Sequence, residues 1–211
     1  MNFQFSIFNF QFILSCIYFF LPAYFTNMTP PLARKAGIKA HNLLCARPST
    51  KTKICALVLK FLDKQVDFGK NFFGQPLLGS HKTWRGAILG IIVGILVAEF
   101  QVWLYHFPLI KEISFFDYYK INFLFFGFLI SGGAVFGDLL FAFIKRRLRL
   151  KPGTRFLPFD QTNYVIGAFL FLTPFFKIDI RIWLTIFLLT FFLHIIVNRL
   201  GYLLGLYKAK W

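Results

Sequence analysis

The fold is decided by residues 137–168, which have the sequence GDLLFAFIKRRLRLKPGTRFLPFDQTNYVIGA. An apolar run that carries Asp138 gives way to a loop rich in Lys and Arg, and a second apolar run that carries Asp160 follows. Apolar runs bounded by cations are typical of helices that enter and leave a bilayer. Two carboxylates therefore lie at membrane boundaries on either side of one basic loop, in a chain with only eight acidic residues.

The composition of the whole chain excludes a soluble protein. Hydrophobic residues make up 57% of the 211 residues, the mean hydropathy is +0.63, and the apolar residues form long blocks. This pattern predicts an all-α integral membrane protein with a single polytopic membrane domain over residues 1–211. We assign the net charge of +16 to loops that set the topology and contact anionic lipid, and not to a nucleic-acid partner.

Five apolar blocks are close to the roughly 20 residues that a helix needs to cross a bilayer. They are predicted at residues 3–25, 87–107, 121–144, 156–176 and 182–206, with a large first cytoplasmic loop and a short basic third loop. The fourth block begins with polar residues, and we expect its first turn to be interfacial or unwound. The first block is predicted to be a retained anchor with its N-terminus outside, since no positive charge precedes it.

The distribution of cations supports this topology. Lys and Arg number 11 in the first loop, 2 in the second, 6 in the third, 2 in the fourth and 3 in the C-terminal tail. Alternate loops are rich and poor in cations, as the positive-inside rule expects. The first and third loops and the C-terminus are therefore predicted to be cytoplasmic, and the protein to lie in the cell membrane.

Asp138 and Asp160 are the candidate metal ligands. A carboxylate near the membrane is costly unless it is paired or coordinates an ion, and neighbouring carboxylates can hold Mg²⁺ that bridges phosphate oxygens. On a continuous helix, Lys145 and Arg149 would share one face with Asp138 and could bind a phosphate chain. In the simpler alternatives, the cations are stop-transfer charges, Asp138 pairs with one of them, and Asp160 is the N-cap of the fourth helix.

A second cluster of polar residues precedes the second apolar block. Lys82 and Arg85 are one helical turn apart at a predicted helix start, and Thr83 between them offers a hydroxyl group. Such an arrangement is a reasonable anion site. Trp84 is either an interfacial anchor or a stacking surface for a base. A further polar patch, residues 67–70, lies on the same side of the membrane.

These motifs together resemble the CDP-archaeol synthases, membrane cytidylyltransferases related to bacterial CDP-diacylglycerol synthases. The resemblance covers nearly the whole chain. It is carried by segments at both cytoplasmic loops and both ends: residues 21–24, 27–28, 67–69, 78–86, 137–138, 145–147, 151–153, 158, 160–161, 198 and 201.

The resemblance implies a Mg²⁺-dependent transfer of a cytidylyl group from CTP to a lipid phosphate of the archaetidic-acid type, with release of pyrophosphate. The tails of this lipid are either isoprenoid or acyl chains. It implies Asp138, Asp160 and Lys145 as catalytic groups, the two aspartates being the metal ligands. The substrate-binding residues that it implies are Lys82, Thr83, Arg85, Lys145, Arg146, Lys151, Gln161 and Asn163.

Two positions depart from the family pattern, because Asn163 replaces a usual Asp and Ala142 a usual Ser. Both changes remove polar groups from the expected site. Two other functions stay open at this stage. One is a membrane phosphotransferase that acts on a polyprenyl phosphate or another lipid phosphate, and the other is a non-enzymatic transporter or insertase.

Overall fold

The computed structural model describes residues 10–45, 61–79, 82–150, 154 and 156–203. The elements assigned within these residues are α1 (Phe10–Cys45), β1 (Asn71–Phe72), β2 (Gln75–Pro76), α2 (Trp84–Leu104), α3 (Pro108–Glu112), α4 (Phe123–Arg147), α5 (Phe159–Leu172) and α6 (Ile180–Leu203). Their regular structure is almost entirely helical, so the predicted all-α membrane fold is confirmed.

Four segments of these helices are long and apolar enough to cross a membrane: Phe10–Leu32, Trp84–Leu104, Phe123–Arg147 and Ile180–Val197. They correspond to the first, second, third and fifth predicted blocks. Residues 3–9 and 204–206, at the outer ends of the first and fifth blocks, lie outside the described residues.

The fourth predicted block, residues 156–176, contains a helix of only 14 residues, α5. Residues 156–158 are not helical, as expected for an unwound start, whereas Asp160 already lies within the helix. The ring of Phe171 lies 5.3 Å from that of Phe136 on α4, and the ring of Phe175 lies 5.2 Å from that of Phe125 near the start of α4. The segment therefore runs antiparallel along most of α4, although α5 alone is shorter than a typical span.

Helix α1 extends well beyond predicted residue 25 and runs through Pro22, Pro30 and Pro31. Because proline has no N–H, Pro22 leaves the carbonyl of Tyr18 without its helical donor. The side chain of Gln101 on α2 donates to that carbonyl, and the Tyr18 hydroxyl donates to the Gln101 carbonyl at 3.0 Å. A neighbouring helix thus satisfies the freed backbone group, which is how prolines are tolerated in membrane helices.

The hydrophobic core is aromatic and lies at the end of the bundle where α4 begins. The ring of Phe19 on α1 lies 5.9 Å from the rings of both Phe126 on α4 and Trp183 on α6. All three side chains are buried. Tight packing at this end fixes the helices relative to each other, and the polar residues collect at the opposite end of α4.

The loop before α2 folds back onto the start of that helix. Val66 N–H donates to the Lys82 carbonyl at 2.9 Å, and Trp84 N–H donates to the Lys64 carbonyl at 3.1 Å. Between these contacts, β1 and β2 form an antiparallel hairpin in which Phe72 pairs with Gln75. The backbone pairing holds Lys82 in place directly before the first turn of α2.

Candidate active site

Glycines on α4 and α5 allow the two helices to touch backbone to backbone. A Cβ atom on Gly133 would lie 2.7 Å from the carbonyl oxygen of Gly167, and one on Gly137 would overlap the carbonyl oxygen of Asn163. Small residues at helix interfaces permit this close approach in membranes. The residue after Gly137 is Asp138, so the glycine contact brings the Asp138 carboxylate next to Asn163.

The Asp138 carboxylate has two partners, one in the loop before α2 and one on α5. The Lys82 ammonium lies 2.5 Å from Asp138 Oδ2, and Asn163 Nδ2 donates to Asp138 Oδ1 at 3.2 Å. The side chains of Asp138 and Lys82 are each about one quarter exposed, at 28%. The ion pair therefore faces an open space and is not sealed in the protein interior.

Asp160 is held by Lys145, on the last turns of α4. The Lys145 ammonium donates to both carboxylate oxygens, at 2.9 and 2.8 Å, and to the carbonyl of Thr154 at 2.8 Å. Asp160 Oδ2 also accepts the N–H of Phe156 at 2.9 Å. The prediction that Asp160 is the N-cap is wrong, since Pro158 occupies that position and Asp160 lies inside the first turn.

The prediction of a single cationic face on α4 is also wrong in part. Lys145 lies on the helix, but α4 ends at Arg147 and Arg149 has a positive φ of 56° beyond the helix end. The alternative that Asp138 pairs with a cation of the third loop fails as well, because its partner is Lys82 of the first loop. This ion pair joins the loop before α2 to α4, so a helical wheel of α4 alone cannot predict it.

Both ion pairs line one cavity of about 380 Å³. Its lining residues are Gln65, Asp67, Gly69, Asn71, Pro76, Leu78, Gly79, Lys82, Asp138, Phe141, Ala142, Lys145, Arg146, Asp160 and Asn163. The three carboxylates and three cations among them balance in formal charge. A polyanion that enters this cavity therefore needs additional positive charge, which a divalent cation bound with it would supply.

Arg146 is the third cation of the cavity. Its Nη1 donates to the carbonyl of Leu150 at 2.7 Å, and its buried Nε has no hydrogen-bond partner among the described residues. A buried N–H without an acceptor is costly, and guanidinium groups are well suited to phosphate oxygens. Arg146 therefore has a free donor at the edge of a cavity that already contains two lysines.

Asp67 is a cavity residue that the sequence predicts only as part of a polar patch and of one segment that carries the family resemblance, without a role of its own. It is buried, and its two carboxylate oxygens accept the N–H groups of Gly69 at 3.0 Å and Leu78 at 2.9 Å. These bonds cross-link the loop that forms one wall of the cavity. Asp67 thus shapes the wall. The sequence signal that could have found it is an Asp two positions before a Gly in a loop, because an Asp side chain often accepts the backbone N–H two residues further on.

Several predicted substrate-binding residues have structural partners instead. The Thr83 hydroxyl caps α2 by accepting the N–H of Gly86 at 3.3 Å. Arg85 is buried and forms an ion pair with Asp63 at 2.7 Å. Arg85, Thr83 and Gln161 are not among the residues that line the cavity. Lys151 lies outside the described residues.

The carboxylate and amide oxygens of the cavity are of the type that coordinates Mg²⁺. Mg²⁺ usually takes one or two carboxylates together with substrate phosphates and water, and Asp138 and Asp160 supply two carboxylates on one cavity. Asn163, one helical turn from Asp160, adds an amide. Among the described residues there is no cluster of three or more His, Cys, Asp or Glu side chains, so a bound ion would depend on other oxygens as well.

Comparison with known proteins places this arrangement in context. The model of the CarS-like family of CDP-archaeol synthases matches residues 41–211. The CDP-archaeol synthase of Methanocaldococcus jannaschii is 36% identical over 147 residues, which cover 69% of this chain and 82% of the relative. That of Methanococcus maripaludis is 32% identical over 203 residues, which cover 94% of this chain and 97% of the relative.

A solved structure shares the fold. It is that of an intramembrane enzyme for archaeal membrane lipids biosynthesis, with a TM-score of 0.63 and 22% sequence identity. The match covers 88% of this chain and 94% of that chain. The helical architecture thus agrees with that of a membrane protein whose structure is known.

Proposed function

The chain belongs to the family of CDP-archaeol synthases, and from that premise we propose that it transfers the cytidylyl group of CTP to a lipid phosphate. The observation that carries the proposal is the cavity in which two Asp–Lys ion pairs and Arg146 meet at the end of the membrane helices. A metal-bound triphosphate and a second phosphate require both kinds of group: carboxylates for the metal ion and cations for the phosphate oxygens.

The proposed reaction is an in-line displacement at phosphorus. An oxygen of the lipid phosphate attacks the α-phosphorus of CTP, a new P–O bond forms, and the bond to the β-phosphate oxygen breaks. The products are a CDP-lipid and pyrophosphate. The attacking phosphate is already ionised near neutral pH, so the protein has no need of a strong general base, and catalysis consists mainly of positioning and charge stabilisation.

The cations of the cavity have distinct tasks in this proposal. Lys145 and Arg146 lie on the last turns of α4 and bind the triphosphate, Arg146 through the Nε–H that has no acceptor among the described residues. Lys82 comes from the loop before α2 and binds the second phosphate. Phosphate oxygens would compete with Asp138 and Asp160 for the two lysines, which frees the carboxylates for a metal ion.

Asp138 and Asp160 would hold Mg²⁺, with Asn163 beside them. When bound, Mg²⁺ neutralises charge on the phosphate oxygens and orients them for displacement. The carboxylates also keep the ammonium groups in place before substrate binds, since both carboxylate oxygens of Asp160 accept hydrogen bonds from Lys145. This double role explains why the cavity is charge-balanced when it contains no substrate.

We further propose that the lipid phosphate carries isoprenoid ether tails and that the cavity faces the cytoplasm, where CTP is present. The family name supports the first proposal. The second rests on the distribution of Lys and Arg, because both loops that contribute cations to the cavity are the cation-rich ones. The lipid would keep its tails in the inner leaflet while its phosphate enters the cavity.

The test is an activity assay of the purified protein with labelled CTP and a panel of lipid phosphates, read by mass spectrometry. We expect a CDP-lipid and pyrophosphate in the presence of Mg²⁺, and a loss of at least about 100-fold in turnover for Asp138→Asn. Asp117→Asn is the matched control, since Asp117 pairs with Lys120 in the loop before α4. It should retain full activity.

Three outcomes would contradict the proposal. Unchanged turnover of Asp138→Asn would reject the metal role of that carboxylate. Transfer to a polyprenyl phosphate without any CDP-lipid would identify a different phosphotransferase, and absence of nucleotide binding under all conditions would favour a transporter or insertase.

A further inference from the structure

The hairpin β1–β2 carries an unusual residue at its tip. Phe73 and Gly74 form the two-residue turn, and both have positive φ, at 51° and 72°. This turn type favours Asn, Asp or Gly at its first position, because other side chains are strained there. A phenylalanine at this position sacrifices local stability, which points to a role for its side chain outside the hairpin.

The side chains of the tip are exposed and apolar. Phe73 is 88% exposed and Phe72 is 46% exposed, and their rings are in edge contact at 4.6 Å. In a loop surrounded by water, two adjacent exposed phenylalanines would be unfavourable. What these two rings contact therefore depends on where the hairpin lies relative to the membrane.

Arg147 fixes the hairpin to the end of α4. Its guanidinium donates to the carbonyls of Phe72, Gln75 at 3.3 Å and Pro76 at 2.9 Å. The same group lies 5.2 Å from the ring centres of both Phe72 and Phe143. Arg147 is thus inserted between the hairpin and the last turns of the helix, which leaves the hairpin little freedom to move away.

The face of α4 that carries Arg147 is the face that points away from the helix bundle. Helical spacing puts Phe143 and Arg147 on the same stripe as Phe128 and Phe136, which are 51% and 41% exposed. A Cβ atom on Gly132, also on this stripe, would meet no atom within 4 Å. Because exposed apolar side chains of a membrane helix contact lipid, the hairpin is attached where the lipid-facing stripe ends.

The length of α4 gives the depth of this attachment. Its 25 residues extend over about 37 Å at 1.5 Å per residue, more than the roughly 30 Å of a hydrocarbon core. The last turn therefore lies in the headgroup region, where aromatic side chains are favoured. The cation of Arg147 and the exposed Lys70 are suited to the lipid phosphates of the same region.

We propose that the tip of this hairpin, Phe72 and Phe73, inserts into the headgroup region of the bilayer beside α4. The lipid leaflet is the partner, and the neighbouring cations contact its phosphates. Asn71 and Pro76, at the base of the hairpin, line the cavity. The hairpin thus forms the wall between the cavity and the leaflet, and its insertion holds that wall in place. This proposal depends on the membrane location of the helices and not on the reaction.

The test measures the depth of the hairpin tip directly. A Phe73→Cys variant, in a background with Cys16, Cys45 and Cys55 replaced by alanine, is labelled with a nitroxide and reconstituted into lipid nanodiscs. Collision of the label with oxygen, which concentrates in the bilayer, is compared with collision with a water-soluble nickel chelate. Leu96→Cys, on the exposed face of α2, is the lipid control, and Lys64→Cys, exposed in the same loop as the hairpin, is the water control.

We expect the oxygen-to-nickel ratio at position 73 to be several-fold higher than at position 64 and closer to that at position 96. A ratio at position 73 equal to that at position 64 would overturn the proposal, since the tip would then be in water. Protection from both reagents would also overturn it, because a second copy of the chain or another protein segment would then cover the tip. Phe72→Cys repeats the measurement one residue away if the Phe73 variant does not fold.

Discussion

At the scale of single residues, the amide of Asn163 donates a hydrogen bond to Asp138. A carboxylate at this position would face Asp138 favourably only with a metal ion between them. Its Nδ2 donates to Asp138 Oδ1 at 3.2 Å, and its Oδ1 accepts the N–H of Tyr164 at 2.7 Å. A carboxylate at position 163 would lose the donor and bring a second negative charge beside Asp138. The amide therefore stabilises the Asp138 carboxylate when no metal ion is bound. A metal ion in the cavity would in turn have one charged ligand fewer.

This argument predicts the effect of Asn163→Asp. Without Mg²⁺, the free energy of unfolding should fall by about 1–3 kcal/mol, because a hydrogen bond to a charged group is lost and repulsion replaces it. Added Mg²⁺ should raise the melting temperature more than in the native protein, since three carboxylates bind the ion more tightly than two. Thermal unfolding followed over a Mg²⁺ titration measures both effects.

Asn122→Asp is the control, because it makes the same replacement of an amide by a carboxylate away from the cavity. Asn122 caps α4 at the other end of the helix by accepting the N–H of Phe125, and aspartate is an equally good cap. Its unfolding should change little, with or without Mg²⁺. If Asn163→Asp unfolds at the native temperature and responds to Mg²⁺ as the native protein does, the amide has no part in the cation site.

At the scale of elements, the contact between α4 and α5 sets the geometry of the site. Lys82 comes from outside this helix pair, but Asp138, Lys145, Asp160 and Asn163 are all carried by it. A Cβ atom on Gly167 would overlap the backbone of Gly133 and Gly137 on α4. At this contact the nearest atoms belong to the backbone, which cannot move aside as a side chain can, so an added Cβ must separate the helices.

We therefore expect Gly167→Ala to lower the free energy of unfolding by about 1–3 kcal/mol, the usual cost of overpacking. Turnover should fall by about tenfold or more, since a displacement near 1 Å of positioned groups is enough to impair catalysis. Thermal unfolding and the CTP assay measure the two effects. The predicted loss of activity should persist well below the melting temperature of the variant.

The matched control is Gly132→Ala on α4, the helix that Gly167 contacts. A Cβ atom there would meet no atom within 4 Å, and alanine is favoured over glycine in a helix by up to about 1 kcal/mol. This variant should be as stable as the native protein or more stable, with native turnover. Equal behaviour of the two alanine variants would mean that the close contact of the helices is not needed for the site.

At the scale of the whole molecule, the sequence predicts the elements better than their pairing. Asp138 and Asp160 are found because a carboxylate in an apolar run needs a partner, and both line the cavity. Lys82 pairs with Asp138 across 56 positions of the chain, a contact that no local pattern encodes. The sequence predicts a phosphate ligand at Arg85 because this residue lies one helical turn from Lys82 at a helix start. Its actual partner, Asp63, lies in a loop whose path depends on backbone pairing with residues 82–84.

The hydrophobic pattern likewise fixes which segments are helices but not where each helix ends. Prolines normally stop a helix, and α1 continues past three of them because a side chain on α2 supplies the missing donor at the first. Phe73 at the hairpin turn lacks the Asn-Gly or Asp-Gly signature that marks such turns in a sequence. In both cases the neighbouring elements override the local preference of the chain.

The orientation of the molecule leads to the last prediction. The cavity lies at the end of α4 that carries Lys145, Arg146 and Arg147, while the start of α4 follows a loop with few cations. The positive-inside rule therefore predicts that the cavity faces the cytoplasm. Single-cysteine variants Lys70→Cys and Lys120→Cys, in a background without the three native cysteines, report on the two sides.

A membrane-impermeant maleimide should label Lys120→Cys in intact cells and Lys70→Cys only in inside-out vesicles. Both sites are exposed, so a difference in labelling reports the side of the membrane and not burial. Labelling of both variants after detergent solubilisation is the control for reactivity. The reverse pattern would put the cavity on the outside, away from CTP, and a cytidylyl transfer there would have no supply of nucleotide.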